Sequence, residues 1–183
     1  VVFLEVFVVT YIQGNIFQSP AQVLTNTVNC VGVMGKGIAL EFKNRYEGLF
    51  DAYKALCVKN AVVPGKPYLW ENEQVQILNF PTKRHWKDNS RLDDIEAGLK
   101  YLAANYATMG IDSLAMPALG CGNGGLNWND VQALIDKYLG SIIDLDVYVY
   151  LPQQKHTQAD PSAKKQNAQL DFFSDSAAKP ADI

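Results

Sequence analysis

The spacing of apolar residues changes period several times along the chain. Residues 1–10 (VVFLEVFVVT) are rich in β-branched and aromatic side chains and predict a strand; 21–28 predicts a second, after the turn-like Gln18-Ser19-Pro20. Helical spacing follows, with Ile38, Leu40 and Phe42 inside 36–46 and Leu49, Tyr53 and Leu56 inside 48–59. Short strands are expected at 67–71 and 74–80. The stripe Leu92, Ile95, Leu99, Leu102, Tyr106 predicts a helix over 91–107, with Ser90 and Asp93 arranged like a capping box. A strand at 111–116 leads to a helix at 128–139, which buries Val131, Leu134, Ile135 and Leu139 and takes Asn127 as its N-cap. Residues 145–151 close the pattern as a buried strand. Alternation of this kind predicts helices on both faces of a mixed, mainly parallel sheet, whose ligands sit beyond the carboxyl ends of its strands.

The pattern stops near Pro152. Residues 1–152 are expected to form the folded domain and 153–183 a flexible polar tail, in which four lysines offset four aspartates and large apolar residues are few. With 48% hydrophobic and 19% charged residues over 183 positions, the chain has the material for one sizeable core. Its net charge of −3 excludes coating nucleic acid by bulk charge, so any such contact must be local. Cys30, Cys57 and Cys121 make no CxxC pair and only His85 and His156 accompany them, so neither a disulfide framework nor a metal site is expected. No segment has the apolar length to cross a bilayer, and 1–9 lacks the basic start of a secretory leader. A cytoplasmic, reduced protein is expected, without a cofactor. Because the chain opens at Val1, a few further residues are expected upstream.

Candidate chemistry lies in two glycine loops, each between a strand and a helix: Gly32-Val33-Met34-Gly35-Lys36-Gly37 and Gly120-Cys121-Gly122-Asn123-Gly124-Gly125. Glycines let backbone amides approach a ligand, and amides at a helix start suit phosphate oxygens. Either loop alone could be a turn; two on neighbouring strand ends fit a diphosphate held from both sides. Cys30 and Gly37 break the Walker pattern, which disfavours a triphosphatase. Gly120, Gly122 and Gly125 match G-x-G-x-x-G, but only one helix and one strand follow, which disfavours a dinucleotide dehydrogenase. Asn26 and Asn29 call for a reason in a strand, either capping the turn or bonding ribose hydroxyls. Lys83, Arg84, His85, Trp86 and Lys87 form a dense basic-aromatic patch, which reads as a solvated loop or as a surface for phosphates and a stacked base. A lysine at a strand's carboxyl end can act as nucleophile or acid/base. Cys121, Met34 and Met116 read as packing residues, and Trp70 and Trp128 as core or helix-edge aromatics.

Four segments, GNIF at 14–17, NTVNCVGVMGKGIALEFK at 26–43, NFPTKRHWKDNSRLDDIEAGL at 79–99 and PALGCGNGGLNW at 117–128, together resemble a macrodomain. The likeness spans about 8–151 and is narrowest to the DarG-type DNA ADP-ribosyl glycohydrolase antitoxins, which oppose DarT-type toxins. The resemblance implies a three-layer α/β/α sandwich that binds ADP-ribose and removes it from thymidine in single-stranded DNA. It places Asn15 and Ile16 at adenine. Val33, Met34, Gly35, Lys36, Gly37 and Ile38 fall along the diphosphate and distal ribose. So do Thr82, Pro117, Leu119, Gly120, Cys121, Gly122, Asn123, Gly124 and Gly125. Asn26 and Asn29 match asparagines near the distal ribose. Lys83 matches the catalytic lysine, and Arg84, His85, Trp86 and Lys87 are expected to hold the flanking DNA strand. Many macrodomains carry Asp where Asn15 stands, and a protein-directed relative carries a catalytic Asp at the position of Gly124.

Two other functions stay open on the same residues: hydrolysis of ADP-ribose from acidic protein side chains, and ADP-ribose reading without catalysis. The longer antitoxins add a C-terminal toxin-binding region to which none of these 183 residues corresponds, so the chain is expected either to be a fragment of a longer protein or to work without that second inhibitory mode. In the tail, Gln169-Leu170-Asp171-Phe172-Phe173 resembles the short peptide by which bacterial proteins dock on the replication sliding clamp.

Overall fold

A computed structural model describes residues 9–151. The expected strand residues before Val9, the tail and its Gln169–Phe173 motif lie outside the described residues.

Six strands form one sheet: β1 (Val9–Ile12), β2 (Val23–Asn29), β3 (Tyr68–Glu71), β4 (Gln76–Lys83), β5 (Ser113–Pro117) and β6 (Asp146–Tyr150). Their order is β1-β6-β5-β2-β4-β3, and every neighbouring pair is parallel except β3 with β4. Four helices connect them: α1 (Gly37–Arg45), α2 (Leu49–Val58), α3 (Leu92–Asn105) and α4 (Trp128–Leu139). On one face Ile95, Leu99 and Leu102 of α3 and Val131, Ile135 and Leu139 of α4 pack on Leu78, Phe80, Leu114 and Val147. On the other, Phe42 of α1 and Leu49 and Tyr53 of α2 cover Leu24, Val28, Ile77 and Ala115. Enclosing each large apolar side chain contributes about 1.5–3 kcal/mol, so two separate cores hold the layers together. This is the three-layer α/β/α arrangement with a mixed, mainly parallel sheet.

The differences from the sequence reading are local. The strand expected at 74–80 runs on to Lys83. Asn29 pairs with Lys83 after a register shift that passes over Thr82, and this bulge carries the strand past Pro81. A 3-10 turn at Ile16–Gln18 had no apolar period to announce it; the Asn15 side chain accepts from Phe17 N–H at 3.0 Å and nucleates it. Asn127 caps α4 as expected, accepting from Asn129 N–H at 2.8 Å. The capping box at the start of α3 does not form. Arg91 occupies the N-cap without a side-chain bond, and Ser90 is enclosed by the body of the protein instead.

One buried row is polar. Asn26, Asn79 and Tyr68 stand opposite one another on β2, β4 and β3. Asn26 Nδ2 donates to Asn79 Oδ1 at 3.1 Å, and both asparagines are fully buried.

Candidate active site

The carboxyl ends of the parallel strands meet at one edge of the sheet. Leu151 N–H donates to Ile12 O at 2.9 Å, Ala118 N–H to Tyr150 O at 3.2 Å and Cys30 N–H to Arg84 O at 3.3 Å. These bonds gather the Asn15–Ile16 turn, both glycine loops and the end of β4 on one rim.

The first loop is held largely by one side chain. Asn29 Oδ1 accepts from Val31 N–H at 3.0 Å, from Val33 N–H at 3.4 Å and from Tyr53 OH at 2.9 Å, while Nδ2 donates to Val33 O at 2.6 Å. Burial pushes the Tyr53 hydroxyl far above its ordinary value, so it stays a protonated donor. Met34 is buried among the apolar residues under α1 and α2, which fastens the loop's middle. Lys36 occupies the N-cap of α1 without a side-chain bond, so the first amides of that helix have no cap and face the rim. Ile38 packs at the edge of the same core.

The second loop is fastened from outside itself. Leu119 is its buried anchor, and Leu126 N–H donates back to Gly120 O at 3.0 Å. Lys83 Nζ donates to Asn123 O at 2.7 Å, and Ser90 N–H donates to Gly124 O at 2.9 Å. Gly37 has φ +57°, and a Cβ there would stand 3.0 Å from Asn123 Nδ2, so the two loops touch. A Cβ at Gly124 would overlap both the Ser90 hydroxyl and the Gly120 carbonyl; only glycine fits. Gly122 and Gly125 are exposed, Pro117 ends β5, and Thr82 is buried at the bulge. Burial pushes the Cys121 thiol up to about 11 and the Cys30 thiol also to about 11, so both remain protonated at neutral pH and act in packing.

Two expected site residues have other duties. Asn26 lies in the middle of β2, bonded to Asn79, and does not reach the rim; the amide pair explains an asparagine in that strand. Arg84, expected to contact DNA, grips Asp94 of α3 with both arms, at 3.0 and 2.9 Å. That fork ties β4 to the helix. Arg84 nonetheless keeps about half its side chain at the surface, beside a stack in which half-buried His85 lies on exposed Trp86 at 5.6 Å and 29°, with Lys87 Nζ 5.0 Å from the indole centre. Val31 joins this rim as an exposed apolar residue that the sequence reading passed over, as it did Asp94; Tyr53 was read there only as an apolar helix position and Ser90 only as a cap.

The Macro domain profile matches residues 25–135, which contain both loops and Lys83. The chain belongs to the macrodomain family. This macrodomain is similar to the DNA ADP-ribosyl glycohydrolase of Mycobacterium tuberculosis, 43% identical over 148 residues that cover 79% of this chain and 42% of that protein. Its fold matches the macrodomain of Mycobacterium tuberculosis DarG with a TM-score of 0.76 at 43% identity, covering 79% of this chain and 97% of that one. It also matches Thermosipho africanus DarTG in complex with ADP-ribose, TM-score 0.77 at 40% identity, covering 85% of this chain and 44% of that one. The chain spans about 42% of the length of the mycobacterial DNA ADP-ribosyl glycohydrolases it matches. No helix among the described residues is long and apolar enough to cross a membrane.

Proposed function

We propose that this macrodomain is a DNA ADP-ribosyl glycohydrolase that releases ADP-ribose from thymidine in single-stranded DNA and so opposes a DarT-type toxin. The observation that carries the reading is the Lys83 amine, held 2.7 Å from the Asn123 carbonyl where the second glycine loop meets the first. Relatives at 39–43% identity are named for this activity, and a related structure is described with ADP-ribose bound.

In this reading the uncapped start of α1 and the glycine amides of both loops receive the diphosphate, Asn29 and its loop face the distal ribose, and Asn15 and Ile16 face adenine. The anomeric carbon then lies beside Lys83. Cleavage breaks the bond between that carbon and the thymine nitrogen. As an acid, Lys83 gives a proton to the departing base while water adds to the carbon and returns a proton to the amine. As a nucleophile, its neutral amine bonds to the carbon, the base leaves with the bonding pair and takes a proton, and water later hydrolyses the adduct. The Trp86 face, with His85 behind it and Lys87 beside it, suits a flanking base and its phosphate. Lack of room for any side chain at Gly124 favours DNA over a protein substrate, because it leaves the second loop without a carboxylate there.

The test is incubation of the protein and its Lys83→Ala form with thymidine-ADP-ribosylated single-stranded DNA. The wild type releases ADP-ribose; the alanine form loses at least about 100-fold in rate yet still binds ADP-ribose. Full turnover by Lys83→Ala would overturn the assignment. In the nucleophilic route the glycosylamine on Lys83 opens to an imine, which borohydride added during turnover reduces to a stable adduct; free ADP-ribose in place of substrate is the control for product condensing with the amine.

A further inference from the structure

Ser90 takes no part in the chemistry above, yet it meets the second loop twice. Its N–H holds the Gly124 carbonyl, and its side chain occupies the space that Gly120 and Gly124 leave empty: a Cβ at Gly120 would lie 3.0 Å from Ser90 Cβ and 3.1 Å from Ser90 Oγ. Two consecutive carbonyls of the loop are therefore held from outside it, Asn123 by Lys83 and Gly124 by Ser90.

The hydroxyl is the odd feature. Ser90 is 6% exposed and its Oγ has no hydrogen-bond partner among the described residues. An enclosed hydroxyl without a partner costs stability, and alanine would fill almost the same space without that cost. Thr25 Oγ1 and atoms of the Asn26, Asn79 and Tyr68 row are unpaired too, but Ser90 Oγ alone among them lies against the second loop, where an unpaired hydroxyl points to a use in another state of the site. That state is at hand: when Lys83 turns to substrate it releases the Asn123 carbonyl, and the loop loses one of its two outside holds. The Ser90 hydroxyl lies against the same glycines, beside the Gly120 carbonyl.

We infer that Ser90 is a positioning residue whose hydroxyl takes hold of the second loop when Lys83 lets go of it, and so keeps the amine aimed at the reacting carbon. The inference rests on the glycohydrolase reading only for the identity of the substrate; its geometric content concerns Lys83 and the loop.

The experiment compares wild type, Ser90→Ala and Ser90→Thr in two assays. With thymidine-ADP-ribosylated single-stranded DNA, Ser90→Ala lowers kcat by between about 10- and 100-fold, while KM and ADP-ribose affinity move by less than about 2-fold. Its melting temperature stays level or rises, because the unpaired hydroxyl is gone. Ser90→Thr, which keeps the hydroxyl, recovers turnover. The second assay needs no substrate: the rate of reductive methylation at Lys83, referred to Lys87, falls in Ser90→Ala, because the state in which the amine is released loses its hold on the loop. Unchanged kcat with unchanged labelling overturns the inference, as does a loss of turnover matched by equal losses of ADP-ribose affinity and melting temperature. If wild type releases no ADP-ribose, the glycohydrolase reading fails and the labelling ratio still decides the role of Ser90. Should Ser90→Ala not fold, Ser90→Cys fills the space with a much weaker donor and carries the same comparison.

Discussion

The two glycine loops solve one problem by different means. The first is held by its own strand: Asn29 reaches Val33 only four residues on, and Met34 drops into the core beneath it. The second makes backbone turns of its own, but its side-chain support comes from elsewhere, Lys83 being 40 residues away in sequence. A loop built locally keeps its shape whatever happens across the rim. A loop held from a distance moves with the elements that hold it, and here one of those elements is Lys83, the amine proposed to react. In the proposed reading the first loop is a fixed wall for the ligand, and the second couples binding to chemistry.

Gly124→Ala attacks the distant support most directly. Its methyl must displace the Ser90 hydroxyl or the Gly120 backbone, which is overpacking that costs about 3 kcal/mol. A urea titration should show that loss, and ADP-ribose release should fall by at least about 100-fold in the fraction that stays folded. Asn29→Ala attacks the local support. It frees two amides and leaves the enclosed Tyr53 hydroxyl with one acceptor fewer, a loss of about 2 kcal/mol. Calorimetry should then show weakened ADP-ribose binding, while Lys83 labelling stays at the wild-type ratio. If Asn29→Ala alters that ratio as strongly as Gly124→Ala, the loops are not independent and the comparison fails. Tyr53→Phe is the mildest change, removing a donor shared by Asn29 O and Asn29 Oδ1, both at 2.9 Å, for about 1 kcal/mol in the same titration.

The same contrast explains what could be read before the structure. The Asn127 cap, the α3 stripe and the first loop rest on residues a few positions apart, so residue type and spacing reveal them. Lys83 was visible as a lysine near a strand end, but its place within β4 depends on a register shift against β2, and pairing register leaves no mark on one strand alone. Ser90 carried a misleading signal. Followed by Asp93 at the right distance, it has the form of a helix cap, yet packing against Gly120 and Gly124 claims it instead. Arg84 could be read only as a cation in a basic patch, because its partner, Asp94, sits on the next helix. Asn26 was legible as an anomaly but not as its cause, since the second amide lies 53 residues further on.

That amide pair has a consequence for how the chain assembles. Parallel strands form late and slowly, and the slip they tolerate best is by two residues, which keeps every side chain on its face. A two-residue slip of β2 along β4 would set Asn26 against Ile77 or Pro81, burying an amide with no side chain to answer it. In the native alignment it meets Asn79, with Tyr68 completing the row on β3. The row works as a key cut into an otherwise greasy sheet: it makes the wrong alignments of the central strands unprofitable, and only the right one brings Asn29 level with Lys83.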